Sequence, residues 1–253
     1  MVHDLQKAGF WKRIAAWIFD GILFGVVAVA CCFLLSGVLG YDAHSQTLDQ
    51  TYASYEAEYG ITFDISQDAY LALSDAEREN YNAAYDALIQ NEEAMYAYNM
   101  MLQLTLVIVS LGLLIAVILW ELIIPLWLGN GQTLGKKIFG LCVVRNDGVR
   151  VNNLQMFTRT ILGKYTIETM IPVYILMMLF WGTIDLTGTL ILAALGIAEI
   201  CCLIFTRSNG AIHDLLAGTA VVDLASQTIF NSTEELLEFK TQLAAERAAR
   251  APY

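Results

Sequence analysis

Four long apolar runs alternate with polar stretches along the chain, and they set its organisation. The runs cover residues 14–39, 101–128, 165–182 and 186–205. A helix rises about 1.5 Å per residue, so runs of this length match a hydrocarbon layer of about 30 Å. The pattern therefore predicts four transmembrane helices, and only a tight turn separates the last two.

Residues 40–100, between the first two runs, are polar and predict helices of their own. Ser74 and Glu77 have the spacing of a capping box, in which each side chain binds a free backbone N–H at a helix start. A helix should begin after Ser74 and extend past Leu88. It could end there or continue into the second span. A shorter helix is predicted over residues 66–73, so the segment as a whole is expected to form a helical hairpin.

The stretch between the second and third runs predicts a small β-hairpin. Residues 142–145 and 149–151 flank Asn146-Asp147-Gly148, a strong tight-turn signal. Residues 220–222 could add a strand to this hairpin. Residues 154–164 have helical spacing with polar positions, which indicates an interfacial helix ahead of the third span.

The chain after the fourth run ends in a polar tail. Ser232 and Glu235 form a second capping-box pattern, which predicts a helix to about Ala249. The fold class expected is an all-α membrane protein: a four-helix transmembrane bundle with an external helical loop and a small cytoplasmic β-hairpin. Its predicted parts are a transmembrane domain over 10–223, an external acidic insertion over 40–100 and a cytoplasmic helical tail over 224–253.

The basic residues fix the predicted orientation. Positive charge is enriched in cytoplasmic loops, and thirteen of the fourteen lysines and arginines flank the runs on one side. The exception is Arg78, which shares residues 40–100 with twelve acids and nine of the twelve tyrosines. We therefore expect both termini in the cytoplasm and residues 40–100 outside.

Composition excludes several function classes. A net charge of −11 argues against nucleic-acid binding, because the sequence has no basic stripe to meet phosphates. The five cysteines lack metal-site or CxxC spacing and are interpreted as apolar packing residues. The three histidines, His3, His44 and His213, are dispersed and give no catalytic constellation. We expect no enzyme activity and no cofactor beyond a bound sodium ion or proton; whether a metal binds is unknown.

Each predicted span brings one carboxylate toward its cytoplasmic end. Asp20, Glu121 and Glu199 lie roughly 9–11 Å in from that end, and Glu168 lies closer to it. Buried carboxylates are costly and often functional, so a cation or proton site is one interpretation. Oxygen ligands would suit a hard ion such as sodium. The other interpretation is that these acids pair with Arg13, Arg159 and Lys164 and hold the helices together.

Three separated motifs resemble the RDD family of small bacterial membrane proteins. Arg13 and Asp20 lie in KRIAAWIFDGIL, and His213 and Asp214 begin HDLLAGTAVV. The segment GQTLGKKIFGLCVV resembles the middle motif, and Arg159 fits the basic position before the third span. The middle-motif positions are Gln132, Thr133, Gly135, Lys136 and Lys137.

The resemblance implies a plasma-membrane protein and suggests transport, because sodium/proton exchange is associated with some members. Arg13 is expected to bridge Asp214 and leave Asp20 as the deeper titratable group. The leading hypothesis is cation/proton exchange through Asp20, Glu121 and Glu199, in a homo-oligomer because four spans are few for a transporter. The alternative is a non-catalytic scaffold or envelope accessory protein that binds a protein partner through its external acidic loop.

Overall fold

The computed structural model describes residues 5–206 and 208–250 of the chain. His3, Arg207 and residues 251–253, to which the sequence analysis refers, lie outside these described residues. The described chain forms two compact units: Val29–Gly112 is one, and the remaining residues form the other. The helices Phe10–Leu39 and Glu92–Leu128 contribute residues to both units.

Four described helices are long and apolar enough to cross a membrane. They are α1 (Phe10–Leu39), α5 (Glu92–Leu128), α7 (Asn153–Phe180) and α8 (Leu186–Phe205). Much of their large apolar surface is exposed in the chain by itself, including Trp17, Phe33, Trp127 and Phe180. Because water would disfavour that much exposed apolar surface, these faces suit a lipid environment.

The Val29–Gly112 unit adds α2 (Tyr41–Tyr59), α3 (Gln67–Ala72) and α4 (Asp75–Gln90) to parts of α1 and α5. The predicted Ser74–Glu77 capping box is present at the start of α4. The helix does not continue into the second span, because Asn91 is extended and its side chain caps the new helix at Ala94. Helix α2 packs against α4, and Asn91 donates to the hydroxyl of Tyr55.

The third span is longer than its apolar run. Residues 154–164 do not form a separate interfacial helix but are part of α7, which runs unbroken from Asn153 to Phe180. Its Thr158–Met170 segment is a π-helix, as is the Ile118–Ile123 segment of α5. Arg159 does not mark a water interface, because it is 1% exposed and bound to acidic and imidazole partners.

Between α5 and α7 lie α6 (Leu134–Ile138) and β1 (Leu141–Arg145), and after α8 come α9 (Ile212–Ala217), β2 (Thr219–Asp223) and α10 (Thr233–Arg250). The predicted strand at 220–222 is present as part of β2, which pairs antiparallel with β1, Cys142 opposite Val222. The expected local partner, 149–151, forms only single bridges. Val149 turns instead to Phe230 and Leu236, where all three side chains are buried.

The two-stranded sheet is buried on both faces, which explains its near-continuous apolar sequence. Leu141, Val143 and Val221 pack on one face with Ala8 and Ala16. Cys142, Val144 and Val222 pack on the other. The chain before α1 lies along β2, where Asp223 N–H donates to the carbonyl of Gln6. This arrangement attaches the N-terminal segment and the start of α1 to the sheet.

Candidate functional site

Asp20 is buried in α1, and the middle motif binds it. Its carboxylate accepts hydrogen bonds from the Thr133 hydroxyl and from the Gly135 N–H at 2.8 Å. Lys136 Nζ lies 3.7 Å from the same carboxylate and 3.0 Å from the Thr133 hydroxyl. The motif therefore docks the start of α6 onto α1 through one carboxylate.

Glycine at position 135 is required by this close approach. A Cβ there would lie 2.6 Å from the carbonyl oxygen of Ala16 and 2.8 Å from Cγ of Asp20. Gln132 extends the attachment, because its side chain donates to the carbonyl of Leu141 in β1 at 2.6 Å. Lys137, by contrast, is exposed.

Glu121 lies in the π segment of α5 and joins α5 to α7. Lys164 Nζ is 2.6 Å from one carboxylate oxygen, and the Thr160 hydroxyl donates to the main-chain carbonyl of Glu121 at 2.9 Å. That carbonyl needs an outside donor in α geometry, because Pro125, four residues on, has no N–H. The other carboxylate oxygen is buried and has no hydrogen-bond partner among the described residues.

Lys136 connects the surroundings of Asp20 and Glu121 electrostatically. Burial lowers the pKa of Lys136 to about 8, against the opposing effect of Glu121 and, more weakly, Asp20. Lys164 and Arg159 also lower it by repulsion. The amine is thus a poorly hydrated cation held between two acids and two other cations.

Arg159 and Asp214 form a fully buried ion pair between α7 and α9. Arg159 Nε lies 2.9 Å from Asp214, which also accepts from the Thr219 hydroxyl at 3.0 Å. Burial alone would raise the pKa of Asp214, but Arg159 and the hydrogen bond from Thr219 hold it well below its usual range. This pair fixes α9 against the third span.

His213 sits between Arg159 and Glu168, and its partners define its protonation. Arg159 Nη2 lies 2.9 Å from His213 Nε2, and the carboxylate of Glu168 lies 2.7 Å from Nδ1. Because a guanidinium can only donate, Nε2 must accept, and the proton must be on Nδ1. Burial lowers the pKa of His213, consistent with this neutral form.

Three carboxylates bind the first N–H groups of α9. Glu199 accepts from Ile212 at 3.2 Å, Glu168 from His213 at 2.8 Å and Asp214 from Ala211 at 3.3 Å. A helix start has unpaired N–H groups and partial positive charge, so carboxylates stabilise it. Among the described residues, no lysine or arginine forms an ion pair with Glu199 or Glu168. These two acids differ in this respect from Asp20, Glu121 and Asp214.

Arg13 does not form the expected pair with Asp214. Its guanidinium donates at 2.6 Å to the main-chain carbonyl of Asn209, while Asp214 is already bound by Arg159. Asn209 has a φ of 49° and also binds Lys7 and the carbonyl of Leu203 through its side chain. The sequence does not indicate this contact, because main-chain acceptors leave no residue-type signal.

The predicted carboxylates therefore occupy three neighbourhoods rather than one. Asp20 belongs with the middle motif, Glu121 with Lys164, and Glu168 and Glu199 with His213 at the start of α9. In the described part of the chain, no group of three or more His, Cys, Asp or Glu residues is arranged to hold a metal ion.

A family model described as "RDD family" matches residues 7–218, which include α1, the middle motif and α9. No curated protein and no solved structure matches the chain.

Proposed function

Since the chain belongs to the RDD family, we propose that this membrane protein exchanges a cation for protons across the bilayer. The observation that carries the proposal is the arrangement of Glu168, Glu199 and His213 at the start of α9. Among the predicted site residues, Glu168 and Glu199 are the acids that lack a lysine or arginine partner in the described chain. They can therefore change protonation without leaving a buried cation unpaired.

His213 suits the role of proton carrier in this group. Its Nε2 accepts from Arg159, and a carboxylate oxygen of Asp214 lies only 3.6 Å away. A proton arriving at Nε2 would displace Arg159 and be stabilised by Asp214 on one side and Glu168 on the other. A neutral histidine bounded by carboxylates can thus take up and release a proton.

The cation would bind to carboxylate oxygens. Glu168 and Glu199 are half-buried acids on neighbouring helices, and their oxygens suit a hard ion such as sodium. Asp20 and Glu121 take a different part in this scheme. They hold α6 and α7 through Lys136 and Lys164, which restricts them to positioning the elements around the exchanging group.

We further propose that the protein resides in the bacterial plasma membrane, with both termini in the cytoplasm. The support is the placement of thirteen of the fourteen cations on one side of the predicted spans. A homo-oligomer would enclose a pathway that four helices leave open. The large apolar faces of α1 and α8 could meet a second copy or lipid.

Proteoliposomes with an interior pH dye test the proposed exchange. Purified protein should release protons in response to a sodium or potassium gradient, and Glu199→Gln should reduce that flux at least tenfold. Asp185→Asn is the matched control, because Asp185 is an exposed acid at the other end of α8 and asparagine retains its capping role. Absence of flux from the unsubstituted protein, or full flux from Glu199→Gln, would refute the proposal.

A scaffold function is the second candidate, and the acidity of residues 40–100 favours it. Twelve acids surround one arginine there, a surface suited to a basic protein partner. Deletion of residues 52–96 should then abolish a cellular phenotype that Glu199→Gln leaves intact. The reverse result would favour exchange.

A further inference from the structure

Helix α6 begins beside Asp20, well inside the first span. The Gly135 N–H binds the Asp20 carboxylate at 2.8 Å, and a Cβ at Gly135 would lie 2.6 Å from the carbonyl oxygen of Ala16. Asp20 is six residues into the apolar run that begins at Ile14, which corresponds to a depth of about 9 Å. The start of α6 therefore lies at this depth.

The segment that contains α6 enters and leaves on the same side of the span. Before α6, the carbonyl of Asn130 accepts from the N–H of Val143 in β1 at 3.1 Å. After α6, Leu141 packs with Ala8, which precedes α1. Both ends of the segment are thus held by the sheet, while its middle contacts Asp20.

The chain after α8 also turns back along the span that it has just left. The Asn209 side chain donates to the carbonyl of Leu203 at 2.7 Å, and the Ile212 N–H donates to Glu199 at 3.2 Å. Glu199 is four residues deeper in α8 than Leu203, so the chain has returned about 6 Å into the span when α9 begins.

Helix α9 then runs outward along α7. The His213 N–H donates to Glu168 at 2.8 Å, whereas Gln155, thirteen residues nearer the start of α7, donates to the carbonyl of Ala217 at 3.3 Å. A Cβ at Gly163 would come within 2.4 Å of Cβ of His213, so the two helices pack without a side chain between them at this point. Helix α9 therefore has its deep end at its start, as α6 does.

Polar residues face inward in these segments and apolar residues face outward. In α9, His213 and Asp214 are buried, while Leu215 and Leu216 are 45% and 50% exposed. In α6 and at the start of α7, the exposed large apolar residues are Leu134, Ile138, Leu154, Phe157 and Leu162. Lys137 is also exposed, and its long side chain can reach the headgroups. This pattern is the reverse of a surface that faces water and suits one that faces hydrocarbon.

We propose that α6 and α9 are re-entrant helices within the bilayer, and that their outward faces bind lipid acyl chains. In the orientation proposed above, these are the chains of the cytoplasmic leaflet. The faces continue the apolar surface of the spans at the same depth, where Ile18 and Ile200 are exposed. A second copy of the chain is therefore not needed to cover them.

The re-entrant position also explains why acids lie inside the spans. A helix that starts in hydrocarbon has no water to pair its first N–H groups, so the protein must supply acceptors. Asp20 supplies one for α6, and Glu168 and Glu199 supply two for α9. Neither the depth of the two helices nor their lipid contact requires the proposed exchange.

The accessibility of single spin labels tests the lipid contact in the full chain in lipid nanodiscs. Labels carried by non-natural amino acids at Leu134 and Leu215 leave the five native cysteines in place. Oxygen concentrates in hydrocarbon and a nickel chelate stays in water, so the ratio of their collisions reports the surroundings of each label. The ratio at both sites should match that at Ile197 on α8 and exceed that at Leu237 at least about fivefold. Leu237 is the matched control, because it is also an exposed leucine but lies on the polar helix α10.

Three results would overturn the proposal. Frequent collision with the nickel chelate at either label would place that helix in water. Infrequent collision with both reagents would mean that a second copy covers the faces. A photoreactive phenylalanine analogue at Leu215 should form an adduct of lipid mass, and a crosslinked dimer in its place would also count against lipid. Lipid-like ratios in protein without cation-dependent proton flux support the re-entrant helices and refute exchange, and flux with water-like ratios does the opposite.

Discussion

Gly135 donates its N–H to the carboxylate of Asp20 at 2.8 Å, in a contact so close that no side chain fits between them. This contact joins the middle motif to the first span. It also assigns Asp20 a role that its depth in the helix does not reveal. An acid that is costly in lipid becomes the anchor of a short helix.

Gly135→Ala should lower the free energy of unfolding by about 1–3 kcal/mol, the usual cost of overpacking. The new methyl group would meet main chain of α1 rather than a flexible side chain. The midpoint of thermal unfolding in detergent measures the loss. Gly21→Ala is the matched control, because a Cβ at Gly21 would have no neighbour within 4 Å. Equal midpoints for the two variants would contradict the close contact.

Asp20→Asn should destabilise the protein by removing one of the two acids that act on the buried Lys136, at less than the cost of about 3–5 kcal/mol for a buried cation left with no counter-charge. Lys136→Met in the same chain should recover part of that loss, because the incompletely balanced cation is then absent. A double-mutant cycle on thermal midpoints measures the coupling. If the losses of the two single variants are additive in the double variant, Asp20 and Lys136 are not coupled, and Glu121 is the acid that stabilises the charge of Lys136.

Stability should rise between pH 8 and about 10.5 through Lys136. Burial lowers the folded-state pKa of Lys136 to about 8, below the ordinary value of 10.5. The unfolded chain therefore binds more protons in this window, and the cost of burying the cation, about 3 kcal/mol at most, is fully present below pH 8 and relieved as pH rises. Lys136→Met should flatten the rise relative to the unsubstituted protein. If the two proteins have the same dependence of stability on pH, the rise does not come from Lys136.

The four long apolar helices and the capping box at Ser74 follow from local patterns, and the structure contains them. The ion-pair partners of the buried charges and the strand partners in the sheet were harder to predict, because each pairing joins residues that are distant in sequence. Arg159 looked like an interfacial residue, since nothing near it in sequence shows that Asp214, 55 residues on, would bury it. The strand at residues 220–222 was expected to join this sheet, but the turn signal at residues 146–148 could not show that β2, rather than residues 149–151, would be the main partner of β1.

Arg159→Lys should destabilise the protein even though it keeps the charge. The arginine binds Asp214 through Nε and His213 through Nη2, and a lysine offers a single ammonium for both. We expect a loss of about 1–3 kcal/mol, typical of a buried polar group left without a partner. Arg145→Lys is the control, because Arg145 makes a partly exposed ion pair with Asp147. A thermal midpoint no lower than that of the control would contradict the two-partner geometry.

Thr160→Val should expose the role of Pro125 in α5. The Thr160 hydroxyl donates to the carbonyl of Glu121, which in α geometry would have no main-chain donor because Pro125 has no N–H. Valine preserves the shape but removes the donor, so a loss of about 1–3 kcal/mol is expected. Pro125→Ala restores an N–H four residues after Glu121, and it should make Thr160→Val less costly. The double variant should therefore lose less stability than the sum of the two single variants. If the changes in thermal midpoint of Thr160→Val and Pro125→Ala are additive, the hydroxyl stabilises the contact between α5 and α7 independently of the proline.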